Sequence, residues 1–131
     1  MEKIENLQKN FFNKIPEVQH LNYWGKLKFL KMNSQERRME RYRILYVWKI
    51  LEKKAMNCGL ESFSNERRGR FCRIPELNLH SRKSVQSLRE ASFQVHGPRL
   101  FNKLPRSIRN ITNCSVDEFK SKLDKFLENI P

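Results

Sequence analysis

Cysteines are few in this sequence, and their spacing argues against two kinds of structural site. The 131 residues include three cysteines, none of which forms a C-x-x-C pair. A disulfide framework is therefore not expected, and the thiols are predicted to be reduced. Cys72, His80 and His96 have the spacing of no zinc module, so we predict a buried free cysteine, surface histidines and no metal site.

Glycine clusters and clustered carboxylates are also missing. The four glycines stand alone along the chain, which excludes a glycine-rich phosphate loop. Polymerases and nucleases hold divalent metals with clustered carboxylates, whereas the acidic residues here are scattered and no Asp-Asp pair occurs. The three histidines suggest no Ser/His/Asp set. We therefore expect no catalysis by this chain and no cofactor.

Long apolar runs are absent, which argues against membrane insertion. The first ten residues are polar and amphipathic and lack the apolar stretch of a secretory signal. An intracellular location, nuclear or cytoplasmic, is the expectation. These residues read like the middle of a protein, so we expect an artificial or truncated N-terminus. Attachment of residues 34–56 to an acidic membrane is a weaker alternative, because their charges cluster at one end.

Positive charge is abundant and unevenly distributed. The chain has 27 Lys and Arg against 14 Asp and Glu, a formal charge of +13. Residues 67–109 hold eleven basic and two acidic residues, and residues 31–54 hold eight and three. Such an excess is typical of proteins that bind polyanions, the alternative being a basic surface that serves solubility. A binding surface is therefore predicted in the middle of the chain.

Apolar spacing and capping residues predict a mainly α fold. The predicted helices, four to five in number, cover residues 1–15, 22–32, 34–56, 98–109 and 116–130, and the one over 98–109 is interrupted by Pro105. Asn22, Asn33 and Ser115 are their predicted caps, and Asn57–Gly59 is the predicted stop of the third helix. Short strands are possible at 70–74 and 85–95. We predict a helical segment 1–56, an irregular basic linker 57–84 and a C-terminal helical segment 85–131.

The predicted core and binding residues come from these elements. The core is expected to contain Ile44, Leu45, Trp48, Leu51, Leu100, Phe101, Leu104, Phe119, Leu123, Phe126 and Leu127. The predicted nucleic-acid-binding residues are Arg37, Arg38 and Arg41 on the third helix, and Arg67, Arg68, Arg70, Phe71 and Arg73 in the basic centre. Arginine presents a flat fork to phosphate, and an aromatic ring offers a stacking face to an unpaired base. The alternative is that Phe71 packs into the core and the arginines are solvated.

Residues 21–52, 66–75 and 87–131 carry a likeness to a known family. These stretches resemble the region behind the polymerase domain in non-LTR retrotransposon reverse transcriptases, the jockey-like group especially. Leu7-Gln8-Lys9 resembles a Leu-Gln-Arg-Arg helix that follows the polymerase core in that family. Gly97–Pro105 resembles a recurrent Gly-Pro-x-Leu-Phe/Trp-Asn-x-Leu-Pro segment, and Phe119–Leu127 resembles the closing helix of the family.

The resemblance implies a thumb-like and post-thumb region that helps to hold template RNA and primer DNA. In that reading, residues 1–56 are the thumb-like segment and an upstream polymerase core is a partner. The Tyr-x-Asp-Asp catalytic motif of the family is missing, so polymerase activity is not implied. The predicted function is binding of RNA or single-stranded DNA through backbone phosphates. The alternative is a helical module that docks on the polymerase core or another protein without binding nucleic acid. The oligomeric state is left open.

Overall fold

The chain is mainly helical, as predicted. The structure is a computed structural model and describes residues 2–76 and 82–128. Its α-helices are α1 Glu2–Phe12, α2 Tyr23–Phe29, α3 Gln35–Leu51, α4 Lys83–Ala91, α5 Phe93–Lys103, α6 Arg106–Arg109 and α7 Val116–Glu128. A 3-10 helix spans Pro16–Val18, and strands β1 Ser62–Asn65 and β2 Gly69–Cys72 pair antiparallel. The fold class is confirmed, but the described residues contain more helices than the four to five predicted.

The additional helices lie between Lys83 and Arg109. A short strand was possible at residues 85–95, yet these residues belong to α4 and α5, apart from Ser92 between the two helices. Leu88, Arg89 and Ala91 favour a helix, and this preference outweighs the short alternation of apolar residues. The helix predicted over 98–109 begins earlier, at Phe93, and Pro105 interrupts it as predicted, between α5 and α6. The strand predicted at 70–74 corresponds to β2, while the last two residues of the helix predicted over 116–130 lie outside the described residues.

The ends of the helices follow local capping. Asn22 and Ser115 cap α2 and α7 as predicted, since their side-chain oxygens accept the N–H groups of Gly25 at 2.8 Å and Glu118 at 3.1 Å. The prediction was off by one residue at α3, where Ser34 Oγ accepts the N–H of Arg37 at 3.2 Å. This helix ends at Leu51, well before Gly59. The early end follows from the backbone conformation of Lys53.

Lys53 adopts a positive φ of 57°. Its N–H donates to Ile50 O at 3.0 Å, and the N–H of Lys54 donates to Lys49 O at 2.7 Å. These two bonds form a Schellman motif, which satisfies carbonyl groups at the end of a helix. Glycine usually occupies the left-handed position, so a lysine there gave no stop signal in the sequence.

The chain divides into two compact units, Met1–Glu40 and Arg41–Pro131, with the boundary inside α3. In the first unit, Phe12 and Val18 are buried. The carboxylate of Glu5 accepts hydrogen bonds from the Tyr23 hydroxyl and, at 2.9 Å, from the N–H of Gln35. These bonds join α1 to α2 and to the start of α3. The unit boundary differs from the segment boundaries expected from the sequence.

The second unit contains the main hydrophobic core, and the predicted core residues are all found there. Trp48 of α3 stacks on Phe119 of α7, with ring centroids 4.3 Å apart and planes 6° apart. The Trp48 Nε1–H donates to Ile111 O at 2.9 Å. Predicted residues that are buried in this core are Ile44, Leu45, Trp48, Phe101, Leu104, Phe119, Leu123 and Leu127, and those packed against it are Leu51, Leu100 and Phe126.

The segment expected to be an irregular linker, residues 57–84, includes the β1–β2 hairpin, and β2 contacts α5 and α6. Cys72 on β2 is a free cysteine with 1% exposure, which confirms its predicted burial. Burial raises the pKa of its thiol to about 11. His80, which was weighed with Cys72 as a metal ligand, lies outside the described residues. Within residues 2–76 and 82–128, no helix is both long and apolar enough to cross a membrane.

Candidate nucleic-acid interface

The β1–β2 hairpin presents two of the predicted arginines at its tip. Its loop consists of Glu66, Arg67 and Arg68, between the paired residues Asn65 and Gly69. Asn65 Oδ1 accepts the N–H groups of Arg67 at 3.0 Å and Arg68 at 3.2 Å. Gly69 has a φ of +83°, the left-handed conformation that closes a three-residue hairpin loop. This local chemistry leaves the Arg67 and Arg68 side chains exposed.

Gly69 is needed at this turn for a second reason, which gives a testable prediction. A Cβ atom on Gly69 would lie 2.7 Å from Asn110 Oδ1, which accepts the Arg70 N–H. Gly69→Ala therefore combines backbone strain with loss of that hydrogen bond, and should lower the free energy of unfolding by about 2–3 kcal/mol. Gly59→Ala is the matched control, because Gly59 has a φ of +88° but no atom within 4 Å of a new Cβ.

For Gly59→Ala we expect only the strain, about 1–2 kcal/mol. Urea denaturation of both variants and the parent, followed by circular dichroism, measures the difference. Equal losses in the two variants would contradict the close approach of Asn110 to the hairpin.

The backbone of the hairpin is held by three residues: Arg106 and Arg109, which are the first and last residues of α6, and Asn110 just beyond it. Arg106 Nη2 donates to Glu66 O at 3.2 Å, and Arg109 Nη2 donates to Arg68 O at 2.8 Å. Asn110 accepts from the Arg70 N–H at 2.9 Å. These three bonds tie the backbone of the loop and of the start of β2 to α6 and Asn110.

The Gly97–Pro105 segment anchors the other end of β2. Asn102 Oδ1 accepts the Cys72 N–H at 2.9 Å, and Asn102 Nδ2 donates to Cys72 O at 2.9 Å. Phe101 is fully buried, and Pro105 directly precedes α6. The Asn102 side chain therefore bonds the backbone of β2 as a neighbouring strand would. Pro105 stands directly before α6, the helix that contacts the loop. In this protein the segment has a structural role, which is to fix the basic hairpin.

Phe71 is half-buried, and its ring contacts the side chains of Arg109 and Phe63. The Arg109 guanidinium carbon lies 4.0 Å from the centroid of the Phe71 ring. The Phe63 ring on β1 is 5.7 Å from the same centroid, at an interplanar angle of 22°. Arg109 is only 7% exposed, and burial, followed by the charge of Arg106, lowers the pKa of its guanidinium. Arg109 is thus part of the support of the hairpin.

Phe63 and Arg106 are two exposed residues that sequence reasoning missed. Phe63 lies directly opposite Phe71 in the hairpin register and is 50% exposed. Arg106 is exposed and contacts the loop carbonyl of Glu66. The alternating Ser-Phe-Ser pattern was a signal for the strand. No sequence signal places Arg106 at the hairpin, because 40 residues separate the two contacting positions.

The other predicted arginines of the second unit take part in ion pairs. Arg70 Nη1 lies 2.7 Å from Glu52 Oε1, and the two side chains are only 12% and 9% exposed. Arg41 makes two hydrogen bonds to Asp124, at 2.5 and 2.8 Å, and the first cause of its raised pKa is this bonding. Arg73 pairs with Glu61 at 3.3 Å, but both side chains are about 70% exposed, so this pair contributes little.

Arg37 and Arg38 belong to the first unit. Arg37 Nη1 lies 2.8 Å from Glu40 Oε2 in an i, i+3 pair, and Arg38 is half-buried on α3. By contrast, Arg67 and Arg68 at the hairpin tip form no ion pair within residues 2–76 and 82–128. They are therefore the predicted residues whose charge is most available to a ligand.

An open cleft of about 340 Å³ lies beside the tip, between the hairpin and α6. Most residues that line it have polar side chains, among them Glu66, Arg106, Asn110 and Thr112. Hydroxyl, amide and guanidinium groups of this kind suit phosphate and sugar oxygens.

Comparison of the chain with protein-family models, curated proteins and solved structures found no match.

Proposed function

We propose that this chain is a non-catalytic C-terminal segment of a non-LTR retrotransposon reverse transcriptase, and that it binds template RNA or primer DNA through backbone phosphates. The observation that carries the proposal is the pair of exposed arginines, Arg67 and Arg68, on a hairpin loop anchored at both of its ends. The resemblance of Gly97–Pro105 to a recurrent segment of that family supports the assignment, because this segment and α6 anchor the hairpin.

The arrangement favours contacts to phosphate over recognition of base sequence. Arg67 and Arg68 are exposed, and Arg106 is an exposed neighbour at the same loop. Guanidinium groups bind phosphate oxygens with two parallel hydrogen bonds, and such contacts carry no sequence information. Holding the loop backbone in advance reduces the entropy that is lost on binding. The net charge of residues 67–109, eleven basic against two acidic residues, attracts the polyanion over a longer range.

The test is the salt dependence of binding. For a single-stranded oligonucleotide, the slope of log K against log salt is about −0.7 for each phosphate contact, so roughly six contacts give about −4. Changing Arg67 and Arg68 together to Gln should make this slope shallower by about 1.4 and weaken random sequences equally. Fluorescence anisotropy of labelled RNA and DNA oligonucleotides over a range of salt concentrations measures both quantities.

Lys120→Gln with Lys122→Gln is the matched control. It removes the same charge from α7, where the two lysines pair with Asp117 at 3.2 Å and Glu118 at 2.8 Å. This variant should bind like the parent. If the Arg67/Arg68 variant has the same salt slope and affinity as the parent, the hairpin tip is not the binding site. Absence of any binding by the parent near ~50 mM salt would overturn nucleic-acid binding itself.

A second candidate is a module that docks on a polymerase core or another protein. It is favoured by one observation in the first unit, where Ile4, Leu7 and Phe11 share a face of α1 and are 55%, 68% and 63% exposed. A continuous exposed apolar patch is typical of an interaction surface. This function requires no nucleic acid, so the salt experiment distinguishes it from the first.

A further inference from the structure

We propose that Phe63 is a stacking platform for an unpaired nucleobase, so that the hairpin binds single strands in preference to duplexes. The inference rests on the proposed function, because Arg67 and Arg68 would supply the phosphate contacts. It adds to that function a residue that distinguishes single-stranded from double-stranded nucleic acid. The chemistry recognised is the flat face of a base, which single-stranded RNA and DNA share.

The ring of Phe63 is both exposed and held in place. All four residues of β1 are exposed, and half of the Phe63 side chain faces solvent. The ring stacks on Phe71 at 5.7 Å and 22°, and Phe71 in turn contacts the buried Arg109 at 4.0 Å. A ring supported in this way keeps one orientation while part of its surface stays available. Aromatic side chains presented next to basic groups are the usual platforms for unpaired bases.

The spacing between Phe63 and the loop suits a single strand. Phe63 precedes Asn65, the last residue of β1, by two positions, which corresponds to roughly 7 Å along a strand. Arg67 and Arg68 follow Asn65 and Glu66 at the tip. A base on the Phe63 ring therefore leaves its neighbouring phosphates within reach of these long side chains. A flexible single strand can therefore stack a base on Phe63 and place a neighbouring phosphate against Arg67 or Arg68 at the same time.

A duplex cannot make the same pair of contacts. Its bases are stacked on one another, and exposing the face of one base costs a few kcal/mol in unstacking and unpairing. The phosphates of a duplex remain accessible to Arg67 and Arg68. Phe63 is therefore expected to contribute to the affinity for single strands only, whereas the two arginines contribute to both.

The experiment uses the full chain and three labelled probes: an oligouridylate and an oligothymidylate of about twelve nucleotides, and a mixed-sequence duplex of similar length. Phe63→Ala should weaken binding of both single strands at least about 5-fold and leave the duplex unchanged. Phe63→Leu keeps the apolar bulk against Phe71 but has no flat ring, so it should show the same loss. Phe63→Trp should restore single-strand binding.

Tyr46→Ala is the matched control. Tyr46 is 43% exposed on α3 and packs edge-on against Phe93 at 5.3 Å, so its removal also deletes an exposed ring and one aromatic contact. This variant should bind all three probes like the parent. A single strand containing 2-aminopurine should lose fluorescence on binding the parent and keep it with Phe63→Leu, because stacking quenches the base.

The outcomes separate this inference from the function on which it rests. Parent-like binding of single strands by both Phe63→Leu and Phe63→Ala would overturn the stacking role and leave phosphate binding intact. A parent that binds single strands and duplex equally would do the same. A parent that binds none of the probes would overturn both. A Phe63 effect on only one of the two single strands would support the platform and identify that strand as the ligand.

Discussion

Trp48→Ala should lower the free energy of unfolding of the Arg41–Pro131 unit by about 3–5 kcal/mol. Trp48 is fully buried, and its ring lies flat against Phe119, with centroids 4.3 Å apart. Truncation removes this contact, opens a cavity between α3 and α7, and leaves Ile111 O without the indole N–H that it accepts at 2.9 Å. Few single substitutions in this chain remove as much buried apolar surface.

Thermal and urea denaturation followed by circular dichroism measure the effect. The control is Trp24→Ala, which deletes the same side chain at a position in α2 that is 64% exposed, and should change the stability by less than about 0.5 kcal/mol. A Trp48→Ala protein that melts like the parent would show that α3 and α7 do not pack through these two rings.

The second large effect is expected at the ion pair between Glu52 and Arg70. Both side chains are mostly buried, and Glu52 Oε2 also accepts the Asn113 N–H at 3.2 Å. Glu52→Leu leaves the Arg70 charge buried beside an apolar group, which should cost about 3 kcal/mol. The double variant Glu52→Leu/Arg70→Met removes both charges and should recover much of that loss, since a buried pair is often replaceable by apolar residues.

A double-mutant cycle with the two single variants measures the coupling between these side chains by urea denaturation. A double variant as unstable as Glu52→Leu alone would mean that the uncompensated charge is not the source of the loss. The same double variant tests the predicted contact of Arg70 with nucleic acid. A structural role for Arg70 predicts an unchanged salt slope, and a phosphate contact predicts a slope shallower by about 0.7.

The parts of the fold that local pattern determines were predictable. The apolar spacing along α3 and α7 identified the core, because helical periodicity places Ile44, Trp48 and Leu123 on faces that must be covered. Local capping chemistry fixed the starts of α2 and α7. The same reasoning failed at the end of α3, since Lys53 adopts a conformation in which glycine is the usual residue.

The candidate site was less predictable, because its supports are distant in sequence. The charge of Arg67 and Arg68 is visible in the sequence, and so is the turn propensity of Asn65 and Gly69. The partners of the hairpin are not. Asn102 lies 30 residues from Cys72, and Arg109 lies 41 residues from Arg68. Because the sequence does not reveal those contacts, it pointed to Phe71 as the ring for base stacking. The structure shows that Phe63 is the more exposed of the two rings.

The stack of Trp48 on Phe119 also has a consequence for the nascent chain. The two rings can meet only after the ribosome has added the 71 residues that follow Trp48 and end with Phe119. At typical rates of synthesis, this corresponds to roughly 4–14 s, during which the apolar face of α3 is available but its cover is not. A face of this kind is a target for chaperones and for aggregation during that interval. If α7 were shortened so that Phe119 is lost, this part of the apolar face of α3 would stay exposed in the finished protein.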